Sequence, residues 1–64
     1  MGYYERQDKS LRIIKSLLTK GARKNEMIMS LMENGGLGST WINRFLENNA
    51  ETISEKDGIY RWDK

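Results

Sequence analysis

Three stretches of this chain repeat apolar residues every three or four positions, and a fourth alternates them with polar ones. The first stretch is the clearest. Leu11, Ile14, Leu17 and Leu18 form one stripe, widened by Ile13, while Arg12, Lys15, Ser16, Thr19 and Lys20 fill the opposite arc. That period predicts an amphipathic helix. Asp8 or Ser10 can cap its start, and Gly21 suits its end because glycine accepts the positive φ that closes many helices. Ahead of it, residues 1–9 are expected to be an N-terminal arm carrying Tyr3 and Tyr4, with a short strand or a cover over the core as open alternatives.

A second helix is predicted from Lys24 to Asn34. Met27, Ile28, Leu31 and Met32 share one face and Glu26, Ser30 and Glu33 the other, with Met29 off the stripe. Met27 and Met32 flank Ile28 and Leu31 and are expected to fill the core. Asn34-Gly35-Gly36 ends the helix. The join to the next helix, Gly35 to Ser39, is short enough to hold the two as one unit, with Leu37 tucked between them. The third helix runs from Ser39 or Thr40 to about Asn49. Ser39 can act as its N-cap, since a hydroxyl accepts a first-turn N–H that has no partner inside the helix. Ile42, Phe45 and Leu46 fall on one side, and Thr40, Asn43, Arg44 and Glu47 on the other. Trp41 stands on the flank. It either packs on the hairpin or the first helix or, if exposed, anchors a protein contact.

After Asn49 the period drops to two. Thr52-Ile53-Ser54 and Ile59-Tyr60-Arg61-Trp62 alternate around Glu55-Lys56-Asp57-Gly58. Asp-Gly favours a tight hairpin because both positions of its turn need positive φ. A two-residue loop sets Ile53 opposite Trp62, and a four-residue loop sets it opposite Tyr60. Either register puts Tyr60 and Trp62 on one face, expected to lie against the helices, and Arg61 on the other.

Composition narrows the chemistry. The 64 residues suit one domain, 1–64, and contain neither Cys nor His. The usual general base, the commonest metal ligand and the thiolate are therefore missing. The carboxylates are scattered among Lys and Arg, and the chain is short for a walled pocket, so no enzyme, cofactor, metal or small-molecule ligand is expected. Eleven Lys and Arg against nine Asp and Glu leave a net charge of +2. Its placement is uneven. Arg6, Lys9, Arg12, Lys15, Lys20, Arg23 and Lys24 make the first half basic, whereas Glu47, Glu51, Glu55, Asp57 and Asp63 weight the last part acidic. No apolar run approaches the ~20 residues of a membrane span, and MGYYERQDK lacks the apolar segment of a secretory signal. A cytoplasmic protein, nucleoid-associated if it binds DNA, is expected.

The order is helix, helix, short turn, helix, hairpin. It resembles the winged helix-turn-helix family of DNA-binding domains. LRIIKSLLTKGARKNEMIMSLMENGGLGSTWINRFLENN is similar to the three-helix part (10–49) and TISEKDGIYRWD to the wing (52–63). The resemblance implies an α+β fold of three helices and a two-stranded wing, with the third helix in the major groove and the wing along the backbone or in the minor groove. Carried over by position, it assigns Ser39, Thr40, Trp41, Asn43 and Arg44 to the groove-facing start of the third helix. Lys56 and Arg61 match wing positions that touch phosphates. The chain departs from the family pattern in its second turn glycine, in having one Arg and no Lys on the third helix, and in the acids around Lys56.

The residue types fit such contacts. Arg can hold guanine O6 and N7 together, and Asn can satisfy adenine N6 and N7. Thr40 and Ser39 at a helix start can bond a phosphate. Arg23 and Lys24 can neutralise backbone charge beside Lys56 and Arg61. Solvated or capping roles are the competing readings for all of these. The expected partner is double-stranded DNA, bound as a small transcription regulator occupying an operator. A homodimer through Tyr3, Tyr4 or Met29 would enlarge its small footprint. The alternative is a winged-helix module for protein contacts within a larger assembly, with structured RNA as a lesser option.

Overall fold

The computed structural model describes residues 2–63. Helix α1 spans Tyr3–Lys20, so helix occupies most of the stretch expected to be an arm. Two local features explain the earlier start. Gly2 takes an extended N-cap conformation and its N–H donates to the Glu5 carboxylate at 3.0 Å, which satisfies one donor in the manner of half a capping box. Tyr3, Gln7 and Leu11 also stand four apart, extending one edge of the helix toward the body of the protein. Ser10 is therefore not a cap. It lies inside α1 and is fully buried.

Strand β1, Ala22–Arg23, leads into helix α2, Lys24–Glu33. Helix α3 follows at Ser39–Asn48, then strands β2, Ile53–Lys56, and β3, Ile59–Trp62. The chain is thus α+β, three helices with a small antiparallel sheet ordered β1-β3-β2. The strand between α1 and α2 was not foreseen. Two residues carry no periodicity of their own, and β1 exists only because Ala22 and Arg23 pair with Tyr60 and Ile59.

The hairpin adopts the two-residue loop. Ile53 pairs with Trp62 and Lys56 with Ile59. Asp57 (φ 57°) and Gly58 (φ 82°) are both left-handed, as a turn matching the twist of two strands requires. The Glu55 carboxylate accepts the Gly58 N–H at 2.7 Å.

The core is built from Ile14, Leu18, Ala22, Met27, Leu31, Ile42, Leu46 and Ile53, one or more from each helix and from β1 and β2. Tyr60 and Trp62 pack against it, and the Trp62 indole N–H donates to the Lys15 carbonyl at 3.3 Å. The sheet is fastened to α1 through this contact. Met32 departs from expectation, being 70% exposed, whereas Met27 is fully buried. Leu31 and Met27, four apart, set the inward direction of α2. Met32 follows Leu31 by one position, or about 100°, and turns outward.

The turn between α2 and α3 is closed by its two glycines acting differently. Gly35 takes φ 76°, and the Gly36 N–H reaches back to the Leu31 carbonyl at 2.7 Å, the long bond of a Schellman end. Gly36 is buried, and a β-carbon there would stand 2.7 Å from Ser10 Oγ and 3.1 Å from a Leu31 methyl. The second glycine therefore does not loosen the turn. It lets the turn press against α1. Ser10 completes the joint, donating its hydroxyl to the Arg6 carbonyl at 2.7 Å and accepting the Leu37 N–H at 2.8 Å. Leu37 is half-buried beside it.

Candidate nucleic-acid interface

Helix α3 has the two-sided character its sequence requires. Ile42 and Leu46 are buried, Trp41 and Phe45 half-buried, and Thr40, Asn43, Arg44 and Glu47 exposed. The start of the helix differs from expectation. Gly38 is the N-cap, its carbonyl accepting the Ile42 N–H at 3.2 Å, and no side chain caps the end. Ser39 has already entered the helix as its first residue, so its hydroxyl lies beyond the cap position. The C-terminal end is held by Asn49, whose side-chain amide donates to the Phe45 carbonyl at 2.8 Å. The Asn49 carbonyl accepts the N–H groups of Thr52 and Ile53 at 2.9 and 3.0 Å, turning the chain into β2.

The exposed arc of α3 has two edges with different neighbours. Asn43 and Glu47, one turn apart, border a shallow hollow of about 510 Å³ with Lys24, the first residue of α2, and the half-buried Tyr60 ring of β3. Thr40 and Arg44, also one turn apart, turn the other way. They border a hollow with Trp41, Leu37 and Tyr3 of α1. Trp41 lies on this edge, stacked on Phe45 with ring centroids 5.3 Å apart, and faces α1 rather than the hairpin.

The sheet gathers a separate set. Ser54 pairs with Arg61, Lys56 with Ile59, and Ile59 with Arg23. Directly paired residues share a face, so Arg23, Lys56 and Arg61 stand together on the side away from the core, and no carboxylate occupies a paired position among them. Two of these cations also brace the backbone. Arg23 Nη1 donates to the Asp57 carbonyl at 3.2 Å and lies against Gly58. The Arg61 guanidinium covers Gly21 so closely that a β-carbon there would stand 2.6 Å from Nη2. Gly21 is the C-cap of α1 (φ 95°), where a cation is favourable against the helix dipole.

The nine residues singled out by sequence thus fall into three groups. Lys24 joins Asn43, Ser39 and Thr40 open the helix beside Trp41 and Arg44, and Arg23, Lys56 and Arg61 share the sheet face. Among the described residues only Arg12 and Asp8 form an ion pair, at 2.7 Å on α1. Arg44 is therefore not tied to Glu47, and the sheet cations form no ion pair with a described acid, although Asp57 lines the same hollow as Lys56 and Arg61. No group of three or more acidic side chains gathers to hold a metal among the described residues, and no helix there is long and apolar enough to cross a membrane. Tyr3, Tyr4 and Met29, the suggested contacts between copies, are all exposed.

Sequence reasoning missed Tyr3 as a neighbour of α3. The signal was present in the spacing of Tyr3, Gln7 and Leu11, which continues the helical period past the supposed cap. Comparison with protein-family models, with curated proteins and with solved structures finds no match to this chain.

Proposed function

We propose that the chain is a winged helix-turn-helix module that binds double-stranded DNA by placing α3 in the major groove, and that it acts as a small intracellular regulator of transcription. One observation carries this reading: α3 is anchored by Ile42 and Leu46 while Thr40, Asn43 and Arg44 stay exposed, and Arg44 forms no ion pair among the described residues. The helix order supports it, as does the strand between α1 and α2 that completes a sheet with the hairpin.

The chemistry follows from the side chains. A major groove about 12 Å wide admits one helix, and an Arg reading guanine by two hydrogen bonds gives about 1–3 kcal/mol of discrimination. Arg44 is that residue, with Asn43 reading adenine from the other edge. Ser39 and Thr40 meet phosphates near the helix start, where N–H groups lie free of the backbone ladder, and Lys24 meets the backbone from the edge of Asn43. Arg23, Lys56 and Arg61 neutralise backbone charge from the sheet face. Occupying an operator is the regulatory act.

The test is retention of the full chain on random-sequence duplex DNA as salt is raised. Affinity should fall steeply, and Lys56→Ala or Arg61→Ala should each reduce the salt slope by about one unit while weakening all sequences alike. Retention that ignores salt, or a slope unchanged by both substitutions, contradicts the reading.

A further inference from the structure

Two hollows meet at Trp41. One, of about 250 Å³, lies among Tyr3, Leu37, Thr40 and Trp41. The other, of about 220 Å³, runs along Leu11, Trp41 and Phe45. Tyr3, Trp41 and Arg44 border both. Each is smaller than the roughly 300 Å³ at which small-molecule pockets begin. Each has room for one large side chain.

Both are open to water, and their walls mix apolar rings with polar groups, Gln7, Asn48 and Asn49 among them in the second. Tyr3 is 58% exposed and meets Tyr4, 83% exposed, edge-on at 5.6 Å. The Trp41 indole, backed by Phe45, keeps part of its surface in water. Tyr, Trp and Arg are the residue types that carry most binding energy at protein interfaces, where they cluster in desolvated centres. Here all three stand around one point.

Charge selects the occupant. Among the described residues Arg44 is the one charged side chain bordering either hollow, and the others are aromatic, aliphatic, glycine, threonine or an amide. A two-fold pairing of this edge with a second copy presents the same patch from both sides. It offers neither copy's Arg44 a carboxylate, since no described acid borders either hollow. A nucleic-acid strand carries a phosphate at every step, and a single guanidinium answers only one. A short acidic segment meets the pattern, because a carboxylate can take two parallel hydrogen bonds from the guanidinium while flanking apolar side chains fill the hollows.

We propose that the α1–α3 edge docks an acidic segment of a partner protein, with two large apolar side chains seated on either side of Trp41 and a carboxylate on Arg44. The proposal stands apart from the DNA reading, although the two share Arg44, and its test contains no DNA until the last arm.

Random peptides displayed on phage are selected against the full chain. The expected winners carry Asp or Glu beside two aromatic or large aliphatic residues. Tyr3→Ala and Arg44→Glu, both at exposed positions, each weaken those peptides about tenfold or more. Selection on the Arg44→Glu chain shifts the enriched charge to Lys and Arg. Nuclear magnetic resonance gives an internal control: the Trp41 indole N–H signal moves as a selected peptide is added, while that of Trp62, bonded to the Lys15 carbonyl, stays in place and reports an intact fold. Three results would overturn the proposal. The first is a selection with no winners or no acidic preference. The second is a Trp41 signal that ignores the peptides. The third is a Trp41 signal that moves instead with protein concentration alone or only with duplex DNA, which would assign the edge to a second copy or to the DNA footprint.

Discussion

The turn before α3 and the hairpin after it are both tight, both depend on glycine, and are held by different means. At the turn, Gly36 is packed against Ser10 and Leu31, and a buried hydroxyl satisfies the Leu37 N–H. At the hairpin tip, Arg23 reaches the Asp57 carbonyl and Glu55 the Gly58 N–H, both in water. Burial makes the first joint stiff, because an unpaired buried N–H costs about 1–3 kcal/mol. Exposure leaves the second soft, since solvated contacts contribute little. The division suits the proposed roles. Reading base edges demands a helix held to a fraction of an ångström, whereas neutralising phosphates asks only that charge be near.

The contrast can be broken most forcefully at Gly36. Gly36→Val forces a branched side chain against Ser10 and Leu31 and should cost about 3 kcal/mol in urea unfolding, at the upper end of overpacking penalties. A domain of this length has a total stability of only a few to about 10 kcal/mol. Ser10→Ala comes next. It leaves the Leu37 N–H without its partner and should cost about 1–3 kcal/mol, lowering the melting temperature by several degrees. The smallest effect belongs to Arg23→Ala, within about 0.5 kcal/mol, with amide shifts confined to Asp57 and Gly58. A larger loss for Arg23→Ala than for Ser10→Ala would invert the comparison.

What the sequence made legible follows the same line. Helix bodies were readable because apolar spacing at Ile14, Leu18, Leu31 and Ile42 reports a buried face directly. The hairpin was readable once Asp57-Gly58 restricted the turn, leaving two registers that only coordinates separate. Ser10 was misread because a serine ahead of an apolar run resembles a cap, and its place four residues before Ile14 was the competing signal. β1 was not legible at all, since its pairing partner lies nearly forty positions away. The outward turn of Met32 was hidden because hydrophobicity alone does not distinguish the margin of a stripe from its centre.

For the candidate site, exposure of Thr40, Asn43 and Arg44 was readable from period. Their division between two edges was not, because it depends on which neighbour, Lys24 or Tyr3, packs beside each. The common face of Arg23, Lys56 and Arg61 likewise needed the strand register.

In the proposed mechanism Arg44 reads a base from the exposed side of α3. Selection of preferred sites from randomised duplexes, done in parallel with the natural chain and with Arg44→Ala, tests it most directly. A site containing a guanine whose preference disappears in the variant, with the unfolding free energy unchanged, is the predicted result. Selection of the same site by both chains, or of no site by either, would contradict it.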